Sequence, residues 1–290
     1  MRNRNEYMRF IWCLLALLCF VGHGNAKKCK MKCVTLNLRY DNRGDGINKW
    51  DNRKDMVLQL IKDENPDVVC FQEVLDRQLK DLEGNQSVYK HMGVGRDDGK
   101  TLGEYSPIFY KTDKFIKVED GTFWLSEHPD SVGSVGWDAK FPRIVTWVIL
   151  KEKKKGKEFI VINTHFDHVG KKARLQSAEL IKRWISENAH HMPVILTGDL
   201  NVTEKKDAYK SLTNEDSPLV DSYKICQKKV GADYSFHNFG KMLGLGKAKI
   251  DYIFVSKDIK VESVIIPYEN PINGVFLSDH NPIIANILIK

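Results

Sequence analysis

The sequence predicts an α+β fold in which packed mixed sheets carry helices on their outer faces. Short apolar runs rich in Val, Ile and Phe recur along the chain and read as strands. Helical spacing appears early, at Met56, Val57, Leu60 and Ile61, and again at Leu175, Ala178, Ile181 and Ile185. Many of the runs lie too close together for a crossover helix, so antiparallel neighbours must sit beside parallel ones. Mixed strands with helices of this kind imply sheets covered on the outside.

The elements follow in order. Met31 to Asn37 reads as a strand ending in a polar residue, and Asp67 to Glu73 as another; the helix between them is closed by Asn65-Pro66. Further strands are expected at Pro107 to Tyr110, Ile144 to Leu150, Phe159 to Asn163, Val194 to Thr197, Ile250 to Val255 and Ile283 to Ile289. Lys151 to Lys157 is a solvated hairpin tip in preference to a nucleic-acid clamp, and Lys171 to Asn188 is a second long helix.

Residues 1–26 read as a signal peptide: Arg2, Arg4 and Arg9 precede an apolar run from Phe10 to Gly22, followed by the small residues of Gly24-Asn25-Ala26. The run is shorter than the ~20 residues of a spanning helix. Residues 27–290 read as one domain, because no linker and no repeat interrupts them. The chain holds 45 basic and 38 acidic side chains; without the leader the balance is 42 to 37, a formal +5. That excess suits a phosphorylated substrate without requiring one. Of the cysteines outside the leader, Cys33 and Cys70 lie in strand-like runs and read as buried thiols, while Cys29 and Cys226 are uncommitted. Cys29 and Cys33 lack the matching Cys/His pair that a zinc knuckle needs.

Chemistry concentrates where apolar runs end, and strand ends are where such scaffolds gather it. Glu73 closes a strand so apolar that its carboxylate needs a partner, either a divalent cation or the next helix terminus. Asp199 and Asn201 follow Gly198; two apart in strand geometry, both side chains can face one site. Asp279-His280, with Asp251 upstream, suggests an imidazole oriented by a carboxylate, with adjacent residues pointing apart and taking separate duties. His165 ends a further strand and can donate to a phosphate oxygen. Arg143 can grip phosphate through its planar fork; Arg39, Tyr105 and Trp124 are weaker rim candidates, the aromatics being explained as well by packing. Each motif alone has an ordinary structural explanation. Carboxylates, amides and imidazoles without a nucleophilic serine or cysteine are the equipment for holding a hard cation and splitting a phosphate ester with water.

Taken in order, Asn37, Gln72-Glu73, Asn163-Thr164-His165, Gly198-Asp199-Leu200-Asn201, Asp251-Tyr252 and Ser278-Asp279-His280 closely resemble the endonuclease/exonuclease/phosphatase superfamily, the deoxyribonuclease I-like fold. The runs 93–99 and 121–126 resemble its exported bacterial branch, itself similar to the deadenylase and nocturnin group. The resemblance implies a four-layer α/β/β/α sandwich with the site where the sheets open. It implies Mg²⁺ or Mn²⁺ bound by Asn37, Glu73 and Asp279, water positioned or activated by Asp199 and Asn201, phosphate contacted by His165, and an acid/base pair of Asp251 and His280. Arg39 stands where abasic-site repair relatives carry an acidic residue, and His165 where they carry tyrosine, which speaks against DNA repair. The sequons at Asn85 and Asn201, the latter in the expected site, favour bacterial export, periplasmic or secreted.

The expected protein is therefore a divalent-metal-dependent phosphoesterase using direct attack of water. Nucleic acid or nucleotide is the preferred substrate class, with Arg143, Arg39 and Tyr105 on the substrate side. Sugar phosphates, inositol phosphates and lipid headgroups are the rivals, and a noncatalytic phosphate-binding module is the reading from another class. No stable protein partner is implied. Substrate choice should lie in the loops Asp41 to Arg53 and Gly95 to Tyr105.

Overall fold

A computed structural model describes residues 28–84, 88–242 and 246–290. The expected leader and the sequon at Asn85 lie outside the described residues. Among the described residues no helix is long and apolar enough to cross a membrane.

The first part of the chain forms β1 (Cys29–Asn37), α1 (Trp50–Glu64), β2 (Val68–Gln72), α2 (Asp76–Gly84), β3 (Tyr89–Met92), β4 (Ile108–Lys111) and β5 (Phe115–Trp124). There follow β6 (Ile144–Glu152), β7 (Glu158–His165), α3 (Lys171–Asn188), β8 (Val194–Asp199), α4 (Asp207–Thr213), β9 (Leu219–Asp221) and the one-turn α5 (Ser222–Ile225). The last elements are β10 (Lys228–Gly231), β11 (Asp251–Ser256), β12 (Lys260–Ile266) and β13 (Ile283–Ile289). One sheet has seven strands in the order β10-β12-β13-β1-β2-β4-β3, the other six in the order β5-β6-β7-β8-β11-β9. Both are mixed: β1 runs parallel to β2 but antiparallel to β13, and β7 runs parallel to β8.

Strand pleating sorts the side chains into three cores. Cys33, Cys70, Val161, Ile195 and Ile253 point inward and fill the space between the sheets. Their outward neighbours Val34, Val69 and Phe71 pack beneath Trp50, Val57, Ile61, Leu79 and Leu82 of α1 and α2. On the other side Ile160, Ile162, Leu196 and Phe254 meet Ala178, Ile181, Ile185 and Leu212 of α3 and α4. Each fully buried side chain of this size stabilises the fold by about 1.5–3 kcal/mol, which is what commits every strand face to its layer. The result is the expected α/β/β/α sandwich.

Toward one end of the sandwich the inward row turns polar. Gln72 Nε2 donates to Thr35 Oγ1 at 3.0 Å and to Asn163 Oδ1 at 2.7 Å. Asn163 Nδ2 reaches the carbonyls of Phe71 and Pro107, and Thr197 Oγ1 donates to Asn163 Oδ1. These bonds stitch the sheets together, so Gln72 and Asn163, motif residues in the sequence, are structural. One pleat further on, the sheets open.

The elements invisible in the sequence are chiefly edges. Most of β5 from Ile116 to Asp120 is exposed and β10 is exposed throughout, so neither carries an apolar run; charge on such edges discourages pairing with other chains. Helix α1 ends as expected: Asn65 adopts the left-handed conformation at φ 46° and its N–H caps the Ile61 carbonyl. In α3 the buried stripe is Ala173, Ser177, Ala178, Ile181 and Ile185, with Leu175 only half-buried. Cys33 and Cys70 are buried free thiols, as are Cys29 and, half-buried, Cys226.

Gly198 is required by a close approach. A Cβ built there would stand 2.2 Å from the Thr164 carbonyl oxygen on β7. Gly198→Ala should force β7 and β8 apart beside Asp199, costing about 1–3 kcal/mol, as overpacking does. Urea unfolding checks this; a variant with an unchanged midpoint would contradict it.

Candidate active site

The pleat that builds the core also delivers the site. His165 pairs with Asp199 across β7 and β8, and Asp199 pairs with Asp251 across β8 and β11. Directly paired residues share a face, so an imidazole and two carboxylates form one row on the inner surface. Asn37, the last residue of β1, faces that row from the opposite sheet. Its Nδ2 donates to Glu73 Oε1 at 3.1 Å and to Asp199 Oδ2 at 3.0 Å, bridging carboxylates from the two sheets. Its Oδ1 accepts the Arg39 N–H.

Glu73 lies one residue beyond β2 with φ 59°, a turn that brings its carboxylate back over the opening, where Oε2 accepts the Tyr40 N–H. Asn201 also reaches the centre by a turn. The strand ends at Asp199, Asn201 takes φ 51°, and its Nδ2 lies 3.0 Å from His165 Nε2 while its N–H donates to Asp199 Oδ1. The strand alternation expected for Asp199 and Asn201 therefore gives way to left-handed backbone, with the same convergence.

His280 Nδ1 is 2.7 Å from Asp251 Oδ2, and its Nε2 lies 3.9 Å from both Asp199 Oδ2 and Asp279 Oδ1. Asp279 and His280 thus share the site instead of pointing apart; the turn at Ser278, whose hydroxyl donates to the Asn37 carbonyl, folds them together. Among the sequence candidates, Asn37, Glu73, His165, Asp199, Asn201, Asp251, Asp279 and His280 all converge. Arg143 lines one flank and Arg39 the other. Tyr105 does not join them: it is buried in the core under α1 and α2, and its hydroxyl donates to the Lys100 carbonyl. Trp124 is also buried, its Nε1 holding the Arg96 carbonyl at 2.7 Å.

Crowded acids and burial set the electrostatics. Burial, with Asp251 beside it, pushes the Asp199 carboxyl up to about 7. Burial also pushes Asp279 up, against the pull of His280. Burial works against a charged His280, but the Asp251 carboxylate outweighs it and raises the imidazole to about 10. Burial and the nearby Arg143 drive His165 well down, so it is neutral. Asp251 Oδ1 is buried without a hydrogen-bond partner.

Oxygen donors dominate this set, and carboxylates resisting ionisation call for positive charge, so the residues fit a hard divalent cation. Glu73 and Asp279 could hold it on the Asn37 side. Asp199, Asp251 and His280 also place ligand atoms within 4.8 Å of one another.

Three residues beside the site, Asp45, Glu104 and Asp167, escaped the sequence reading. Arg39 is held by Asp45 through two bonds of 2.9 Å, which turn it along the rim. Glu104 accepts from Arg96 Nη1 at 2.6 Å and lies 3.6 Å from His165 Nδ1. It stands inside the loop Gly95 to Tyr105, where substrate choice is expected, but nothing local separates it from an ordinary surface glutamate.

Asp167 accepts the Val169 and Gly170 N–H groups ahead of α3 and lies 3.4 Å from Arg143 Nε. Burial alone would raise this carboxyl, but the two N–H bonds and Arg143 outweigh it and hold it at about 2. A carboxyl depressed from its ordinary ~3.9 contributes stability above the ordinary value, lost as pH falls through the folded one; here that is ~2 kcal/mol. The difference in urea stability between wild type and Asp167→Asn should therefore close between pH 4 and pH 2. A gap independent of pH would contradict this assignment.

A model of the endonuclease/exonuclease/phosphatase family matches residues 34–280. The chain belongs to this family. Members hydrolyse phosphate esters and are in general dependent on divalent metal. An uncharacterised protein of Acanthamoeba polyphaga mimivirus is 30% identical over 88% of this chain and 98% of its own length. A Bacteroides vulgatus family structure is 48% identical over 90% of this chain and all of that one, with TM-score 0.87. The Bacteroides thetaiotaomicron mannosyl-6-phosphatase is 38% identical over 89% of this chain and 99% of its own, with TM-score 0.83. Human nocturnin, 18% identical over 89% of this chain and 93% of its own, shares the fold with TM-score 0.69.

Proposed function

We propose that this protein is a Mg²⁺- or Mn²⁺-dependent phosphoesterase that cleaves a compact phosphorylated substrate, a sugar phosphate, by direct attack of water. The observation that carries this reading is the meeting of Glu73, Asp199, Asp279 and the Asp251–His280 pair at one opening between the sheets. Ser278, the hydroxyl close by, is spent on a backbone carbonyl, which favours water over a side-chain nucleophile.

A divalent ion at Glu73 and Asp279 would neutralise charge on the phosphate and lower the pKa of water. Asp199, kept from full ionisation by burial, is placed to take the water proton, and Asn201 fixes its carboxylate through the backbone N–H. His280, held charged by Asp251, faces the negative charge that builds up at phosphorus. His165 and Asn201 lie on the phosphate side.

Two observations favour a compact substrate over nucleic acid. The arginines around the centre are committed to carboxylates: Arg39 to Asp45, Arg96 to Glu104 and Arg143 to Asp167. The lysine-rich tip between β6 and β7 lies at the opposite end of β7 from His165, about 25 Å away at ~3.3 Å per residue. A mannosyl-6-phosphatase among the similar structures points the same way. The nuclease reading is favoured by a probable RNA exonuclease of Schizosaccharomyces pombe, 25% identical over 62% of this chain and 35% of that protein.

Purified protein should hydrolyse p-nitrophenyl phosphate with Mg²⁺ or Mn²⁺ and lose activity in EDTA. A folded preparation without turnover under any divalent cation would leave a binding module instead. The nuclease reading predicts RNA binding that weakens steeply as salt rises, which the compact-substrate reading does not. Export through removal of residues 1–26 belongs to the same proposal and is checked by the N-terminal sequence of protein from the producing cell.

A further inference from the structure

We propose that Arg96, Glu104 and Arg143 form a polyol-binding subsite that grips the leaving half of the substrate through neighbouring hydroxyls. The inference rests on the phosphoesterase reading above and assigns the group that recognises the sugar.

The cluster lies beside the reaction centre and is joined to it by His165. That imidazole places Nδ1 3.6 Å from Glu104 Oε2 and Nε2 3.6 Å from Asp199 Oδ2. Arg96 Nη1 donates to Glu104 Oε2 at 2.6 Å, and Arg143 Nη1 lies 3.9 Å from the same oxygen. Arg143 is fastened through Nε to Asp167 and through Nη2 to His168 Nδ1 at 3.1 Å.

Three polar atoms in this cluster are buried without a hydrogen-bond partner: Arg96 Nε, Arg143 Nη1 and His165 Nδ1. Their side chains are nine-tenths or more buried, at 10%, 4% and 8% exposed, and Arg96 Nε has only the Asp97 carboxylate beside it, at 3.7 Å. Buried donors are normally paired, and charged ones left without a hydrogen bond are costly, so donors beyond hydrogen-bond reach of the Glu104 and Asp97 carboxylates mark a place where a ligand completes the bonding. Glu104 Oε1 likewise accepts no hydrogen bond among the described residues, and the carboxylate keeps 19% of its side chain open to solvent.

The kind of ligand follows from the charges. Arg96 and Arg143 are faced by Glu104, Asp167 and Asp97, so the cluster has no net positive charge with which to draw in a second phosphate, and Glu104 at its centre repels one. A hydroxyl suits it, because it accepts from arginine and donates to carboxylate at once; neighbouring hydroxyls on a ring can satisfy both partners. Phe141, 39% exposed, lies stacked on His168 with the Arg96 guanidinium 5.4 Å from its ring centre, offering an apolar face beside the polar groups. The Trp124 bond to the Arg96 carbonyl anchors this loop.

The test compares Glu104→Gln with wild type on mannose 6-phosphate, glucose 6-phosphate and p-nitrophenyl phosphate, each with Mg²⁺, after matching unfolding midpoints establish folding. Wild type should prefer a hexose phosphate in kcat/KM. Glu104→Gln should reduce that preference at least tenfold, mainly through KM, and Arg96→Gln should do the same. Equal losses on hexose and nitrophenyl phosphates would overturn the proposal, because Glu104 would then serve the common chemistry. Turnover of nitrophenyl phosphate but of neither hexose phosphate by wild type would overturn the subsite alone; no turnover of any substrate would sink the phosphoesterase reading with it.

Discussion

His280→Asn should lower kcat by roughly 10²- to 10⁴-fold, the usual contribution of a positioned acid or base, with a much smaller change in KM. The imidazole is buried, bonded to Asp251 at 2.7 Å and directed at Asp199 and Asp279. Asparagine can retain a hydrogen bond to Asp251 but cannot carry the positive charge that this carboxylate sustains. Asp251→Asn should fall by a similar factor, because it leaves the imidazole without the partner that keeps it charged and oriented. The double variant should be little worse than either single one, since residues acting as a unit are not additive. Steady-state kinetics on p-nitrophenyl phosphate with saturating Mg²⁺ decides the matter. A loss below tenfold for His280→Asn would remove the pair from the mechanism and leave Asp199 and the metal to act without it.

Arg53→Leu should destabilise the fold by roughly 3 kcal/mol or more, because several carbonyls each lose a hydrogen bond to a charged group, worth about 1.5–3 kcal/mol apiece. The side chain is fully buried and donates to the backbone carbonyls of Asn48, Leu38, Leu277 and Arg39. Those bonds clip the segment leaving Asn37 to the segment entering Ser278-Asp279-His280, so one guanidinium holds both walls of the Asn37–Asp279 side of the site. Burial pushes Arg53 down to about 10, which still leaves it charged at neutral pH. Leucine fills part of the volume but takes the guanidinium bond from four carbonyls, of which only that of Arg39 keeps another side-chain donor, Gln78 Nε2, and lysine cannot replace a five-donor fork. Urea unfolding should show the lower midpoint, and activity at a temperature where the variant stays folded should fall as well. A midpoint within 0.5 kcal/mol of wild type would show that water replaces these bonds.

Arg53 also marks how far the sequence could be read. It lies with Trp50, Val57 and Ile61 on the buried stripe of α1, so an arginine at an apolar position was visible. What it bonds was not, because its partners are backbone carbonyls, one of them Leu277, which no side-chain pattern reports. Gln72 and Asn163 teach the converse. Both belong to the motifs that carry the family resemblance, yet they bind the sheets to each other one pleat below the chemistry. A polar residue ending an apolar run reads the same in sequence whether it stitches or catalyses; its depth in the sandwich tells the two apart.

By itself the sequence determined the local and periodic part of this protein: the central strands, the two long helices, the layered class and the polar ends of the inward-facing rows. These follow from pleating and helical spacing, which are properties of neighbouring residues. Tertiary structure alone decided the registers that align His165, Asp199 and Asp251, the left-handed turns that return Glu73 and Asn201 to the opening, and the joining of Glu104 and its loop neighbour Arg96 to the distant Arg143. Those outcomes depend on which backbone lies beside which, and on burial that raises the cost of every unpaired charge. Neither quantity is carried by any single stretch of chain.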